Sequence, residues 1–75
     1  MNKQSIIADI EFAQDNWDEF GGRLAPMLRY VAGINLGCKR QDFIDAAVAK
    51  GYKASTAQTC FYRGQKEMRD LDANS

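Results

Sequence analysis

Apolar residues recur every three or four positions through almost the whole of this 75-residue chain, and nowhere do they alternate with a period of two over a useful length. That rhythm matches the 3.6-residue turn of an α-helix and leaves a strand no face to bury. The expected fold class is therefore all-α, a small domain of four helices without a sheet. Between Ser5 and Phe20 the stripe is Ile6, Ile10, Ala13, Trp17 and Phe20, with Ile7 on its flank and Asp9, Glu11, Asp15, Asp18 and Glu19 elsewhere. This reads as one amphipathic helix of about four turns, closed by Gly21 and Gly22, and with Trp17 in the core.

Pro26 follows where a first helical turn tolerates proline, and Met27, Leu28, Val31 and Ile34 carry a second, more apolar helix as far as Gly37. Gly33 inside it weakens the helix by roughly 1 kcal/mol relative to alanine unless another backbone packs close there. A third helix is predicted over 39–50, with Phe43, Ile44, Ala47 and Val48 on one side. Its start carries Lys39 and Arg40 at the positive end of the helix dipole, an unfavourable placement that a docked phosphate would relieve. Cys38 stands at the cap, with Gln41 placed for the reciprocal half of a capping box.

Gly51 breaks that helix, and Tyr52, Lys53 and Ala54 lead to Ser55, which is suited to cap a fourth helix with Gln58 as its reciprocal partner. At 100° per residue, Ala57, Cys60, Phe61, Gly64, Met68 and Leu71 share an inward arc. Gln58, Thr59, Tyr62, Lys66 and Arg69 lie opposite, with Thr56 and Arg63 towards one edge.

Charge divides along the same lines. The chain has no net charge, yet residues 39–69 carry seven cations against three anions, a net of +4, and the acidic excess lies in the first 38 residues and beyond Arg69. Attraction for a polyanion must come from this polarity. The chain has no histidine and two well-separated cysteines, so ordinary zinc sites and most acid–base machinery are excluded, and no cofactor is expected. Asp15, Asp18 and Glu19 come near one another on a helix but have no partner as ligand, base or nucleophile, and read as a solvated acidic face. No credible active site is present. No stretch approaches the ~20 apolar residues that span a bilayer, nor does the N-terminus look like a signal peptide. A reducing cytoplasm is the expected setting, with Cys60 packed inward and Cys38 carrying a lowered thiol pKa at its helix start.

The residues from Arg40 to Glu67 resemble a helix-turn-helix motif of the kind found in phage, plasmid and bacterial regulators. Ala47 is the small residue where the two helices touch, Gly51 makes the turn, and Ala57 and Cys60 stand where the second helix packs back on the first. The commoner form has bulky aliphatics at those two places; Phe61 is the candidate to supply the missing volume. The resemblance implies a second helix seated in the major groove while the first straddles the backbone. On that reading Gln58 pairs with adenine, Arg63 or Lys66 reaches guanine or phosphate, and Thr56 and Thr59 offer a hydroxyl or a methyl. Lys53, Ser55, Lys39 and Arg40 contact the backbone, and Tyr62 donates to phosphate or packs.

The chain is expected to be one domain, with helices over 5–36 available for homodimerisation, marked by an outward Phe12, and the helix-turn-helix over 39–70. Its expected partners are duplex DNA and a second copy, with no membrane. The expected function is that of a small transcriptional regulator acting by operator occupancy. A phage-encoded inhibitor of a host protein and a DNA-recognition subunit of a packaging or replication complex are the alternatives.

Overall fold

A computed structural model describes residues 3–73, and among these the chain is all-α. The four helices are α1 (Lys3–Asp15), α2 (Leu24–Ile34), α3 (Arg40–Ala49) and α4 (Ala54–Ala73), with a 3-10 turn, Trp17–Phe20, between the first two. α1 packs on α2 and α3, and α4 packs on α2 and α3. The largest fully buried side chains are Ile6 and Ile10 of α1, Met27, Leu28 and Val31 of α2, and Phe43 of α3. Each contributes about 1.5–3 kcal/mol relative to exposure. α4 adds none of that size that is fully enclosed; it buries Ala57, Cys60, Phe61, Gly64 and Gln65.

The first helix is shorter than its stripe implies. At Asn16 the backbone N–H is shared between the carbonyls of Phe12 (3.2 Å) and Ala13 (3.1 Å), and the side-chain Nδ2 donates to the Phe12 carbonyl at 2.9 Å. An asparagine that satisfies the carbonyl four residues back leaves the backbone free to leave the helix. The chain tightens into the 3-10 turn, and Trp17 and Phe20 end half-buried against the core rather than within it. α2 ends in the same way: the Nδ2 of buried Asn35 donates to the Val31 carbonyl at 2.9 Å and to Asp9 of α1 at 2.9 Å. The helix therefore stops at Ile34, short of Gly37, and Ile34 is 41% exposed at the edge of its stripe.

In α3 the buried arc is Phe43, Ile44, Ala46 and Ala47, and Val48 falls outside it at 48% exposure. The helix is clasped between α1 and α4, which centres the arc on Phe43 and Ala47 and takes in Ala46 instead. No side chain caps its start: Lys39 holds the cap position, Cys38 precedes it, and Gln41 turns to Asp45 at 2.7 Å instead of back to the cap. The far end closes on Gly51. Its φ of +94° lets the Tyr52 N–H reach the Ala47 carbonyl at 3.0 Å and its own N–H reach Val48 at 2.9 Å, the paired bonds of a Schellman motif.

α4 begins one residue before the expected cap. The Ala57 N–H bonds the Lys53 carbonyl at 3.0 Å, so Ser55 lies within the first turn and forms no capping box with Gln58. Ala57 and Cys60 are buried as the stripe requires, and Phe61 fills the space beside them, its ring 5.7 Å from that of Phe43. Met68 is half-buried and Leu71 is 65% exposed, so the inward arc outruns the core.

The crossing of α2 and α4 is very close. A Cβ on Gly64 would lie 2.3 Å from the Arg29 carbonyl oxygen and 2.7 Å from the Ala32 Cβ. Beside it Gln65, 6% exposed, donates to the Ala32 (2.6 Å) and Asn35 (3.1 Å) carbonyls and accepts the Gly37 N–H at 3.0 Å. One side chain of α4 thus satisfies backbone groups at the end of α2 that would otherwise be orphaned. Gly33 also faces α4, but a Cβ there would meet its nearest atom, the Gly64 carbonyl oxygen, at 3.4 Å, an ordinary contact. Gly64→Ala is therefore expected to destabilise the fold by about 2–3 kcal/mol through overpacking. Gly33→Ala should leave stability unchanged or raise it by up to ~1 kcal/mol, because helix propensity improves. Urea unfolding of the two variants measures the contrast; equal losses would mean that the helices do not cross at Gly64.

Candidate nucleic-acid interface

Nine of the ten residues singled out for nucleic-acid contact are exposed, and Thr56 is half-buried. Ser55, Gln58, Thr59, Tyr62, Arg63 and Lys66 occupy the outer face and one edge of α4, Lys53 lies in the turn before it, and Lys39 and Arg40 lie at the start of α3. These two groups are far apart in sequence. They are joined by a hydrogen bond from Arg40 Nη1 to the Tyr62 hydroxyl at 2.9 Å, which draws the basic start of α3 against the middle of α4. The Tyr62 ring stands edge-on to Phe61 at 5.6 Å, so this residue both packs and presents its hydroxyl at the surface, where its own proton remains available to an acceptor.

Other side chains are partly committed. Thr59 donates its hydroxyl to the Ser55 carbonyl at 3.2 Å, leaving its oxygen lone pairs and methyl for a ligand. Thr56 turns towards Ala25 at the start of α2 and, with Ser55, Thr59 and Cys60, lines a shallow recess there. Lys66 pairs with Asp70 at 3.0 Å, but both are well exposed, and such a pair is weak enough for a phosphate to displace. Among the described residues Arg63, Lys53 and Lys39 form no ion pair. Lys50 is drawn the other way, to Glu11 of α1 at 4.0 Å, and takes no part in this surface.

The arrangement also separates the charges. α1, with Asp9, Glu11 and Asp15, packs against α2 and α3, and Asp9 and Glu11 are tied to Asn35 and Lys50. Gln14 of α1 binds the Tyr52 hydroxyl and fixes the turn that leads into α4. Periodicity gave no sign of two further contacts between α2 and α4. Arg29 of α2 reaches Glu67 of α4 at 3.8 Å, and Gln65, placed next to the outward residues, is turned inward by the orphaned carbonyls of α2. An outward polar face and an inward polar anchor look alike in sequence.

The reactive thiol expected at Cys38 is not there. Burial and the nearby Asp42 carboxylate push its pKa above the ordinary 9.0, and burial does the same for Cys60, against a smaller opposing pull from Arg29 and Arg63. Cys60 Sγ instead donates weakly to the Ala25 carbonyl at 3.9 Å. Phe12 is exposed as expected, at 62%. Among the described residues no cluster of side chains could hold a metal ion, and no helix is long and apolar enough to cross a membrane. No protein-family model, curated protein or solved structure matches the chain.

Both thiols are expected to resist alkylation at neutral pH in the folded chain and to react rapidly once it is unfolded; fast labelling of the native chain would contradict the burial. Because the folded chain holds these protons to higher pH than the unfolded chain, their contribution to stability is intact below about pH 9.0 and is lost as pH rises through the folded-state values.

Proposed function

We propose that this chain is a sequence-specific duplex DNA-binding protein, a small transcriptional regulator of phage or plasmid type whose α3, Gly51 turn and α4 act as a helix-turn-helix. The observation that carries the reading is the Arg40–Tyr62 bond, which joins the basic start of α3 to the outer face of α4. It unites two clusters, one suited to phosphates and one suited to base edges. A helix of ~10–12 Å diameter fits a major groove ~12 Å wide. With α4 in that groove, Gln58 is placed to pair with adenine, and Arg63 and Lys66 reach guanine or phosphate. Ser55, Thr56 and Thr59 meet the backbone or thymine methyls, and Lys53, Lys39 and Arg40 clamp the flanking phosphates. The acidic α1 packs on α2 and α3, away from the outer face of α4, and leaves that face basic.

Regulation on this reading is by occupancy: the bound protein excludes or recruits polymerase, as a pair of copies on a symmetric operator in the nucleoid of a cytoplasm. The Arg63→Ala, Lys66→Ala double variant is expected to weaken binding to duplex oligonucleotides and to reduce the slope of log affinity against log salt by about two, as fluorescence anisotropy would measure. Unchanged affinity at low salt would remove α4 from the interface. Gln58→Ala is expected to lower discrimination between sites by about 1–3 kcal/mol while sparing non-specific affinity. Selection of bound sequences from a random pool checks it, and an unaltered consensus would count against the adenine contact.

A further inference from the structure

Arg40 and Tyr62 lie at the surface of two different helices, and the bond between them leaves both with donors to spare. Arg40 Nη1 donates to the Tyr62 hydroxyl at 2.9 Å, so the phenol oxygen is the acceptor and its own proton is directed elsewhere. Among the described residues Arg40 pairs with no carboxylate, and the group it meets is neutral, so its charge is not cancelled by an ion pair. The rest of its planar fork is open to a ligand. The pair is also supported from behind. The Tyr62 ring stands edge-on to Phe61 at 5.6 Å, and the Phe61 ring lies 5.7 Å from that of fully buried Phe43. Phe43 follows Arg40 by three residues on α3, close to one turn along the same face. Two ring contacts and one hydrogen bond thus close a circuit between the helices. An unsupported arginine loses side-chain freedom when it grips a ligand; here folding has already taken part of it.

We propose that Arg40 and Tyr62 together form one site for a single phosphate of the DNA backbone, the guanidinium and the phenol O–H donating to oxygens of the same group. The inference rests on the DNA-binding reading and adds to it that Tyr62, in the middle of the reading helix, grips the backbone and not a base. The chemistry of the pair selects the ligand. What both residues have left to offer is donors, and a phosphodiester presents only acceptors, with a charge opposite to that of Arg40. Donors whose atoms lie 2.9 Å apart can serve neighbouring oxygens of one tetrahedral group. A guanine edge also presents two acceptors, but it is uncharged and would leave the guanidinium without a counter-charge. A site shared by two helices has a further consequence. One phosphate then holds the start of α3 and the middle of α4 at once, which limits how far α4 can turn or slide in the groove. Gln58 stands four residues before Tyr62, about one turn, so the bases within its reach follow from that register.

Binding of the full chain to duplex oligonucleotides that carry a selected sequence tests the shared site. Tyr62→Phe is expected to weaken affinity by about tenfold and to leave the slope of log affinity against log salt unchanged, since no cation is removed. Arg40→Ala should weaken it at least as much and reduce that slope by about one. Both positions are exposed, and circular dichroism should show each variant as helical as the wild type. The phosphates are then replaced one at a time by neutral methylphosphonate. Each variant should lose its sensitivity at one and the same position and keep it at the others. A Tyr62→Phe chain that binds as the wild type does would overturn the shared site while leaving DNA binding by α4 in place. So would variants that become indifferent to different phosphates, or a contact that maps to 7-deazaguanine substitution instead of methylphosphonate. A wild-type chain that binds no duplex would remove the DNA-binding reading and this site with it.

Discussion

The backbone of α4 rests directly on that of α2 at Gly64, where even a methyl group would strike the Arg29 carbonyl. Much else follows from that approach. α4 buries no large, fully enclosed aliphatic side chain, so what holds it is short-range contact over small residues, the Phe61 ring against Phe43, and the hydrogen bonds of Gln65. Dispersion weakens steeply with separation, and a helix with small buried residues must come close or gain little. Closeness in turn brings Gln65 within reach of the Ala32 and Asn35 carbonyls, and a buried amide in that position costs stability unless it is bonded.

The same economy shapes the surface proposed to meet DNA. Because α4 is anchored by a narrow inward arc, most of its circumference is left outside, and Gln58, Tyr62, Arg63 and Lys66 all stand clear of the body. Its starting direction is fixed from the other side. The Schellman turn at Gly51 sets the exit of α3, and the Gln14–Tyr52 bond ties that turn to α1. The proposed contacts with base edges would need such a fixed helix, because hydrogen bonds form only over a narrow range of distance. Arg40 then joins the two helices at their outer edge through Tyr62.

Two asparagines set the lengths of the first two helices by one mechanism. Asn16 and Asn35 each send Nδ2 to the carbonyl four residues earlier, and each helix ends there. The hydrophobic stripe of the first helix ran on to Phe20, and taken alone it overstated the helix by a turn. Apolar periodicity reports which side faces the core; it does not report where a side-chain amide competes with the backbone. Cys38 illustrates a similar limit. Its place before a helix implied an acidified thiol, but enclosure by the core and the neighbouring Asp42 carboxylate act the opposite way.

From the amino-acid order alone came the helical class, the number of helices, the glycine turn at Gly51, the inward arc of α4 from Ala57 to Gly64 and the outward set of polar and basic residues. These are local properties, fixed by a 3.6-residue period and by which residues tolerate a turn. Tertiary structure decided the rest: that Gly64 is a contact point, that Gln65 points in while Lys66 points out, that Val48 and Ile34 fall outside the core, and that Arg40 meets Tyr62 across 22 positions of sequence. Each of these depends on which neighbour lies across a helix, and no periodicity within one segment carries that information.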